Sequence, residues 1–200
     1  ADAYGHGSSM IAPTLLASGV DYLGVASIDE GMELRNNKFT CPILVLGAAP
    51  VWAFDYAAQN NISLSVFLPE HLEAAELTYK KTGIKTKAHV KLDTGMNRIG
   101  VEKEDAIEFI KKVQSMKSIE LQGIFTHFAN AENEEKTKEQ LDIWNYVLSN
   151  TNTDGLILHC FNTAASIAGY KTDNYNMVRL GLALYGLIPD LPPFCKKVPN

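Results

Sequence analysis

The stretch Lys91-Leu92-Asp93-Thr94-Gly95-Met96-Asn97-Arg98-Ile99-Gly100-Val101 decides how the rest of this chain is read. Extended back to Lys87, it alternates, with His89, Lys91 and Asp93 on one face of a strand and Val90 and Leu92 on the other. It then breaks into a glycine-flanked loop that carries Arg98. A purely structural strand end has no use for an arginine in such a loop, so the loop reads as a place for chemistry. The polar face is expected at the mouth of a barrel and the apolar face toward its helices.

Working outward, short β-branched runs alternate with amphipathic stretches. Candidate strands are residues 22–27, 42–47, 62–67, 87–93, 121–128, 156–161 and 177–185. Helical spacing recurs over 105–116, through Ile107, Ile110 and Val113, and over 134–150, through Leu141, Trp144 and Leu148. Residues 9–18 read as the first helix, and Asp29 as the cap of a helix through Met32 and Leu34. Regular strand–helix alternation argues for an α/β fold with a parallel sheet. A (β/α)8 TIM-type barrel fits best, lacking its first strand, which is expected just before Ala1. Function in such a barrel collects where strands give way to loops. That rule selects residues 3–7, 93–98, 127–131, 159–163 and 179–182. The prolines 189, 192, 193 and 199 make residues 190–200 an exit segment or linker after a barrel domain of residues 1–189.

Composition narrows the function classes. The 200 residues are 46% apolar and 20% charged, enough for one sizeable core. A net charge of −5 with no basic patch argues against nucleic acid as a partner. No apolar run approaches the roughly 20 residues of a membrane span. Cys41, Cys160 and Cys195 are an odd number with no CxxC spacing, which argues against disulfides and zinc and for a reducing cytoplasm.

Each candidate site residue has a structural reading beside the functional one. Lys91 can be the buried half of an ion pair with Asp93 or a glutamate. His127 and His159 each end a strand; either can be a satisfied core histidine, and together they point to a shared site. A metal there would want a third ligand; His89 is poorly placed for it, and Arg98 and Arg179 would repel a cation. Those arginines suit an anion. Thr163 offers a hydroxyl and Gly181 an unobstructed backbone N–H, as a phosphate requires, although neither GxGxxG nor GxxxxGKS is present. Thr163 can equally be a plain helix cap.

Four separated segments then carry a resemblance: Ala-Asp-Ala-Tyr-Gly-His-Gly at 1–7, Asp-Thr-Gly-Met-Asn-Arg-Ile-Gly-Val at 93–101, Thr-His-Phe-Ala at 126–129, and Val-Arg-Leu-Gly-Leu-Ala-Leu-Tyr-Gly at 178–186. In this order they resemble the N-terminal barrel domain of alanine racemases, fold-type III enzymes that use pyridoxal 5′-phosphate (PLP). The resemblance implies that Tyr4, Thr163, Gly181 and Leu182 hold the cofactor phosphate and that His159 and Asn162 line the cofactor. It places Arg179 at the pyridine nitrogen, with His127 within hydrogen-bond reach. Arg98 matches the arginine that touches the cofactor's phenolic oxygen and the substrate carboxylate. Lys91 matches a lysine that in some relatives is carbamylated and holds that arginine. Thr163 stands for a usual serine, Leu180 for a frequent proline and Glu132 for a common aspartate. A guanidinium only donates, so Arg179 cannot give the ring nitrogen a full proton, which favours racemisation over transamination.

The resemblance further implies a bacterial homodimer that interconverts L- and D-alanine by two-base proton transfer at Cα and supplies D-alanine for peptidoglycan. One base is the Schiff-base lysine, which directly precedes the Ala-Asp-Ala-Tyr segment. The other is a tyrosine from the partner subunit's C-terminal β domain. Both are absent from residues 1–200, so the chain is expected to be a fragment, inactive by itself. A racemase for serine or lysine, and a non-catalytic PLP-binding barrel, are the competing readings.

Overall fold

A computed structural model describes residues 2–195. Ala1 and residues 196–200, the latter part of the expected exit segment, lie outside the described residues. The fold is α/β, with six strands interleaved with helices, and the chain divides into two compact units.

The first unit comprises residues 1–89 and 113–121. After a short turn α1 (Asp2–Gly5) it contains α2 (Ser8–Ala17), β1 (Leu23–Val25), α3 (Ile28–Asn36), β2 (Ile43–Ala48), α4 (Ala53–Gln59), β3 (Ser63–Val66) and α5 (Pro69–Thr82). β2 lies between β1 and β3, parallel to both, with Val45 opposite Val25 and Leu64. Parallel strands buried on both faces need continuous apolar runs. Ile43, Val45, Leu64 and Val66 meet that need, all fully buried, as are Phe54 and Ala57 of α4. α5 starts with Pro69 in its first turn and ends at Gly83, whose φ of 70° provides the left-handed stop. The cap of α3 is Ser27, not the expected Asp29. Ser27 has the extended backbone of a cap and accepts from Glu30 N–H, whereas Asp29 is already helical and faces the positive end of the helix dipole.

The second unit comprises residues 90–112 and 122–200. The division cuts β4 (Thr86–Lys91), α6 (Lys103–Ser115) and β5 (Ile119–Phe125). α7 (Glu134–Ser149), β6 (Ile157–His159), α8 (Thr163–Ala168) and a 3-10 turn (Leu182–Tyr185) lie wholly in this unit. β5 and β6 pair in parallel, Phe125 opposite His159. Beyond β4 the chain bends back on itself, so that Asp93 N–H reaches Val101 O and Val101 N–H reaches Lys91 O. Gly100 makes that return possible: with φ at 134°, a Cβ there would sit 2.5 Å from the Asp93 nitrogen.

The expected strand over 177–185 does not form, and an eight-stranded closure is not seen among the described residues. The segment runs beside β6 and makes scattered bonds, from Asn176 N–H to Leu158 O at 3.0 Å and from Arg179 N–H to Phe161 O at 2.9 Å. The Asn176 side chain takes the place of a ladder there: its Oδ1 accepts from Leu158 N–H and its Nδ2 donates to Leu156 O. With the edge of β6 satisfied by a side chain, the backbone is released into the turn that carries Gly181.

Candidate active site

The second unit gathers the chemistry at the C-terminal ends of β4, β5 and β6. Arg179 is its centre. Nη1 donates to His159 O at 2.7 Å and lies 2.9 Å from His159 Nδ1. Nη2 donates to Thr126 O at 2.6 Å and lies 3.4 Å from His127 Nδ1. Burial pulls the guanidinium down to about 10, which still leaves it charged at neutral pH. Because a guanidinium can only donate, both Nδ1 atoms must accept, and each imidazole carries its proton on Nε2. Burial first, then the charges of Arg179, Lys91 and Arg98, hold His127 down at about 3. It is a neutral imidazole at any ordinary pH.

Phe125 forms a platform under these groups. The His159 ring stacks on it at 4.7 Å and 6°, and both Lys91 Nζ and Arg179 Cζ lie 5.4 Å from its centroid. Lys91 is 2% exposed. Its ammonium does not close the pair with Asp93 that a structural reading suggests; Nζ donates instead to Leu92 O at 2.7 Å. Burial pulls Lys91 down to about 8, against the attraction of Asp93 and with the help of Arg179 and Arg98. Asp93 has other work. Its carboxylate accepts from the N–H groups of Gly95, Met96, Asn97 and Arg98, closing the loop into a nest. Burial raises the Asp93 carboxyl, and those amides together with Lys91 bring it below its ordinary range.

Thr163 and Gly181 meet directly: the Gly181 N–H donates to Thr163 Oγ1 at 2.9 Å. The amide that the sequence suggested was open is therefore engaged, while the hydroxyl that accepts from it keeps its own proton to donate. Thr163 is not the cap of α8. Asn162 is, its Oδ1 accepting from Ala165 N–H at 3.0 Å. Leu182 follows as the first residue of the 3-10 turn. Arg98 is exposed on the loop organised by Asp93. Tyr4 belongs to the first unit, on a left-handed turn (φ 58°, ψ 30°) with its side chain exposed. The structure thus brings Lys91, His159 and Arg179 around one platform, with His127 against Arg179, and sets Thr163 against Gly181.

The family profile described as alanine racemase, N-terminal domain, matches residues 1–189. The chain belongs to the alanine racemase family. Alanine racemase 1 of Oceanobacillus iheyensis is 40% identical over 196 residues, covering 94% of this chain and 52% of that protein. The alanine racemase of Clostridium difficile 630, solved in complex with cycloserine, matches with a TM-score of 0.88 at 38% identity, over 95% of this chain and 54% of that one. A histidine racemase from Leuconostoc mesenteroides subsp. sake matches with a TM-score of 0.86 at 29% identity, over all of this chain and 54% of that one. The chain spans about half the length of the curated relatives it matches.

Some residues of this racemase domain that shape the site went unread in the sequence. Phe125 has no motif; its position two residues before His127 put it on the same face of the strand, and that was the available signal. The polar residues Thr94, Thr126 and Gln140 sit on three different elements, and nothing in their spacing links them. No helix among the described residues is long and apolar enough to cross a membrane.

Proposed function

We propose that the whole protein is a PLP-dependent alanine racemase and that these residues form its cofactor-binding domain, residues 1–189, followed by an exit segment at 190–200. The observation that carries this reading is Arg179, a donor-only cation locked between two neutral histidines beside the Thr163–Gly181 pair. The residues fit the cofactor. Thr163 has a hydroxyl proton to donate and Gly181–Leu182 supplies backbone, a donor set suited to a phosphate. Among the described residues the Arg179 contacts run through Nη1 and Nη2, so its Nε–H is the donor left to face a ring nitrogen. Tyr4 is assigned to the phosphate, and His159 and Asn162 to the cofactor's flank.

PLP, when bound, supplies the electron withdrawal that acidifies the substrate Cα. Arg179 holds the ring nitrogen by a hydrogen bond without surrendering a proton, which keeps that withdrawal moderate. His127 and His159 accept from Arg179 and fix its plane; as neutral imidazoles they do not compete for the proton in transit. Arg98 binds the substrate carboxylate. Lys91, which burial brings close to neutrality, takes up CO2 with loss of a proton, and the resulting carbamate pairs with Arg98. The two bases of the reaction, a lysine and a partner-subunit tyrosine, are assigned to residues outside 1–200. A cytoplasmic homodimer supplying D-alanine for peptidoglycan completes the proposal.

The test is the full-length protein with PLP, assayed for interconversion of L- and D-alanine by circular dichroism. Equilibration from either enantiomer is the expected result. No turnover of alanine with turnover of serine, lysine or histidine would replace it with the second reading, a racemase for another amino acid; the similarity to a histidine racemase favours that alternative over a non-catalytic barrel.

A further inference from the structure

Behind Lys91 and His127 runs a chain of hydrogen bonds whose direction is fully determined. Thr126 Oγ1 lies 3.0 Å from Leu92 O, to which it can only donate. It therefore accepts from Thr94 Oγ1, 2.8 Å away. Thr94, having given its proton, accepts from Gln140 Nε2 at 3.2 Å. Gln140 Oε1 accepts in turn from Ala129 N–H at 3.1 Å. Thr94, Thr126 and Gln140 are all at most 4% exposed, so water does not substitute for any link. Each link is the only one the chemistry of its neighbour allows.

The chain starts and ends at functional loops. Ala129 follows His127 by two residues. Leu92 O, the terminal acceptor, is the same carbonyl that takes the Lys91 ammonium at 2.7 Å. Thr126 also offers its backbone carbonyl to Arg179 Nη2 at 2.6 Å. Thr94 begins the loop that carries Arg98, and a Cβ on Gly95 of that loop would lie 3.4 Å from Gln140 Cγ. Gln140 projects from α7, a helix that carries none of the assigned site residues. It joins the loop after β4 to the loop after β5.

We infer that Gln140 is a positioning residue, which through Thr94 and Thr126 sets the placement of Arg98 and Lys91 relative to His127 and Arg179. This rests on the racemase reading of the site. The role calls for a side chain with both a donor and an acceptor at this reach, which is the glutamine amide. A glutamate in its place would take the Thr94 proton. The chain would then reverse, Thr126 would donate to Thr94, and Leu92 O would be left with Lys91 alone.

The experiment uses the full-length protein with PLP. Thr94→Val and Thr94→Ser are compared with Gln140→Glu by steady-state kinetics with L-alanine, alongside the thermal midpoint and the absorbance of bound PLP. Misplaced reacting groups cost up to about 100-fold. The expected result is a fall in kcat/KM of about 10- to 100-fold for Thr94→Val and Gln140→Glu, with kcat falling as well as KM rising. Thr94→Ser, which keeps the hydroxyl, is expected within about threefold of wild type on the same scale. Equal loss for Thr94→Ser and Thr94→Val would mean that only packing matters and would overturn the inference. So would wild-type kcat and KM in a folded Gln140→Glu. If Gln140→Glu does not fold, the serine–valine contrast decides. A wild-type protein that racemises no amino acid would instead remove the functional reading itself.

Discussion

Acidification should destabilise this protein through His127, and the size of the effect follows from the geometry. In the unfolded chain an imidazole titrates near 6.5. In the folded state burial and the charges of Arg179, Lys91 and Arg98 hold His127 at about 3. The folded value is the lower one, so between these limits the unfolded state carries the extra proton. The stability contributed by neutral His127 is therefore complete above pH 6.5 and is lost as pH falls toward 3, at about 1.4 kcal/mol per pH unit. Between pH 7 and pH 5 the loss amounts to at most about 2 kcal/mol. His127→Asn isolates the term, because its Oδ1 takes the place of Nδ1 as the acceptor for Arg179 Nη2 but does not titrate. Carboxylates such as Asp93 contribute to both proteins and cancel in the difference. Urea unfolding of the two full-length proteins at pH 7, 6 and 5 should show wild type losing ground to the variant by that amount. Histidine-selective 15N spectra should show the His127 proton on Nε2 throughout. Parallel stability curves, or an imidazole that titrates near 6.5, would refute the placement of Nδ1 against the guanidinium.

Three further outcomes are expected. Arg179→Lys replaces a planar fork with a point charge and forfeits at least one of the two short charge-assisted bonds, to Thr126 O or His159 O. At about 1.5–3 kcal/mol for such a bond, kcat should fall about 10- to 100-fold in steady-state assays. Gly100→Ala would place a Cβ 2.5 Å from Asp93 N and 2.7 Å from Leu92 C at a φ of 134°, so it should cost more than about 2 kcal/mol, visible as a lowered thermal midpoint. Asn162→Ala removes the cap of α8 and should cost about 1 kcal/mol, with weaker PLP retention on dialysis because Thr163 is the next residue.

The strands that carry the site were legible because parallel β-structure buried on both faces writes long apolar runs. β4 was legible in another way, by the alternation of Val90 and Leu92 with His89, Lys91 and Asp93, and it ends within two residues of where that alternation placed it. The segment over 177–185 has the same composition and fails as a strand for a reason that no periodicity carries: the Asn176 side chain satisfies the edge of β6. Ser27 was passed over for Asp29 because both are good caps, and which one keeps an extended backbone depends on the entry from β1. The charged members of the site announced themselves by being costly to bury. Thr94, Thr126 and Gln140 did not, since hydroxyls and amides are common on strand ends and helices alike. Their meaning lies in who donates to whom, and that is a property of three dimensions.

The electrostatics of the site also say why it is built around arginine. Lys91, Arg98 and Arg179 each push the protonation of their neighbours down, and the groups able to yield do so: His127 loses its proton outright and Lys91 comes within reach of losing its own. Arginine is the one cation that cannot follow at neutral pH, even where burial brings Arg179 down to about 10. At neutral pH Lys91, at about 8, still carries most of its charge, so the positive potential is shared among Lys91, Arg98 and Arg179, and only the arginines keep theirs as pH rises past 8. An anion bound near them favours proton uptake by Lys91 and His127, and by linkage each proton taken up strengthens the hold on the anion. On the proposed reading, a carbamate on Lys91 would act in the opposite sense, neutralising part of the field and pairing with Arg98. On that reading the site would hold an anion more tightly with a free Lys91, and less tightly but at a more sharply defined place once the lysine carries a carbamate.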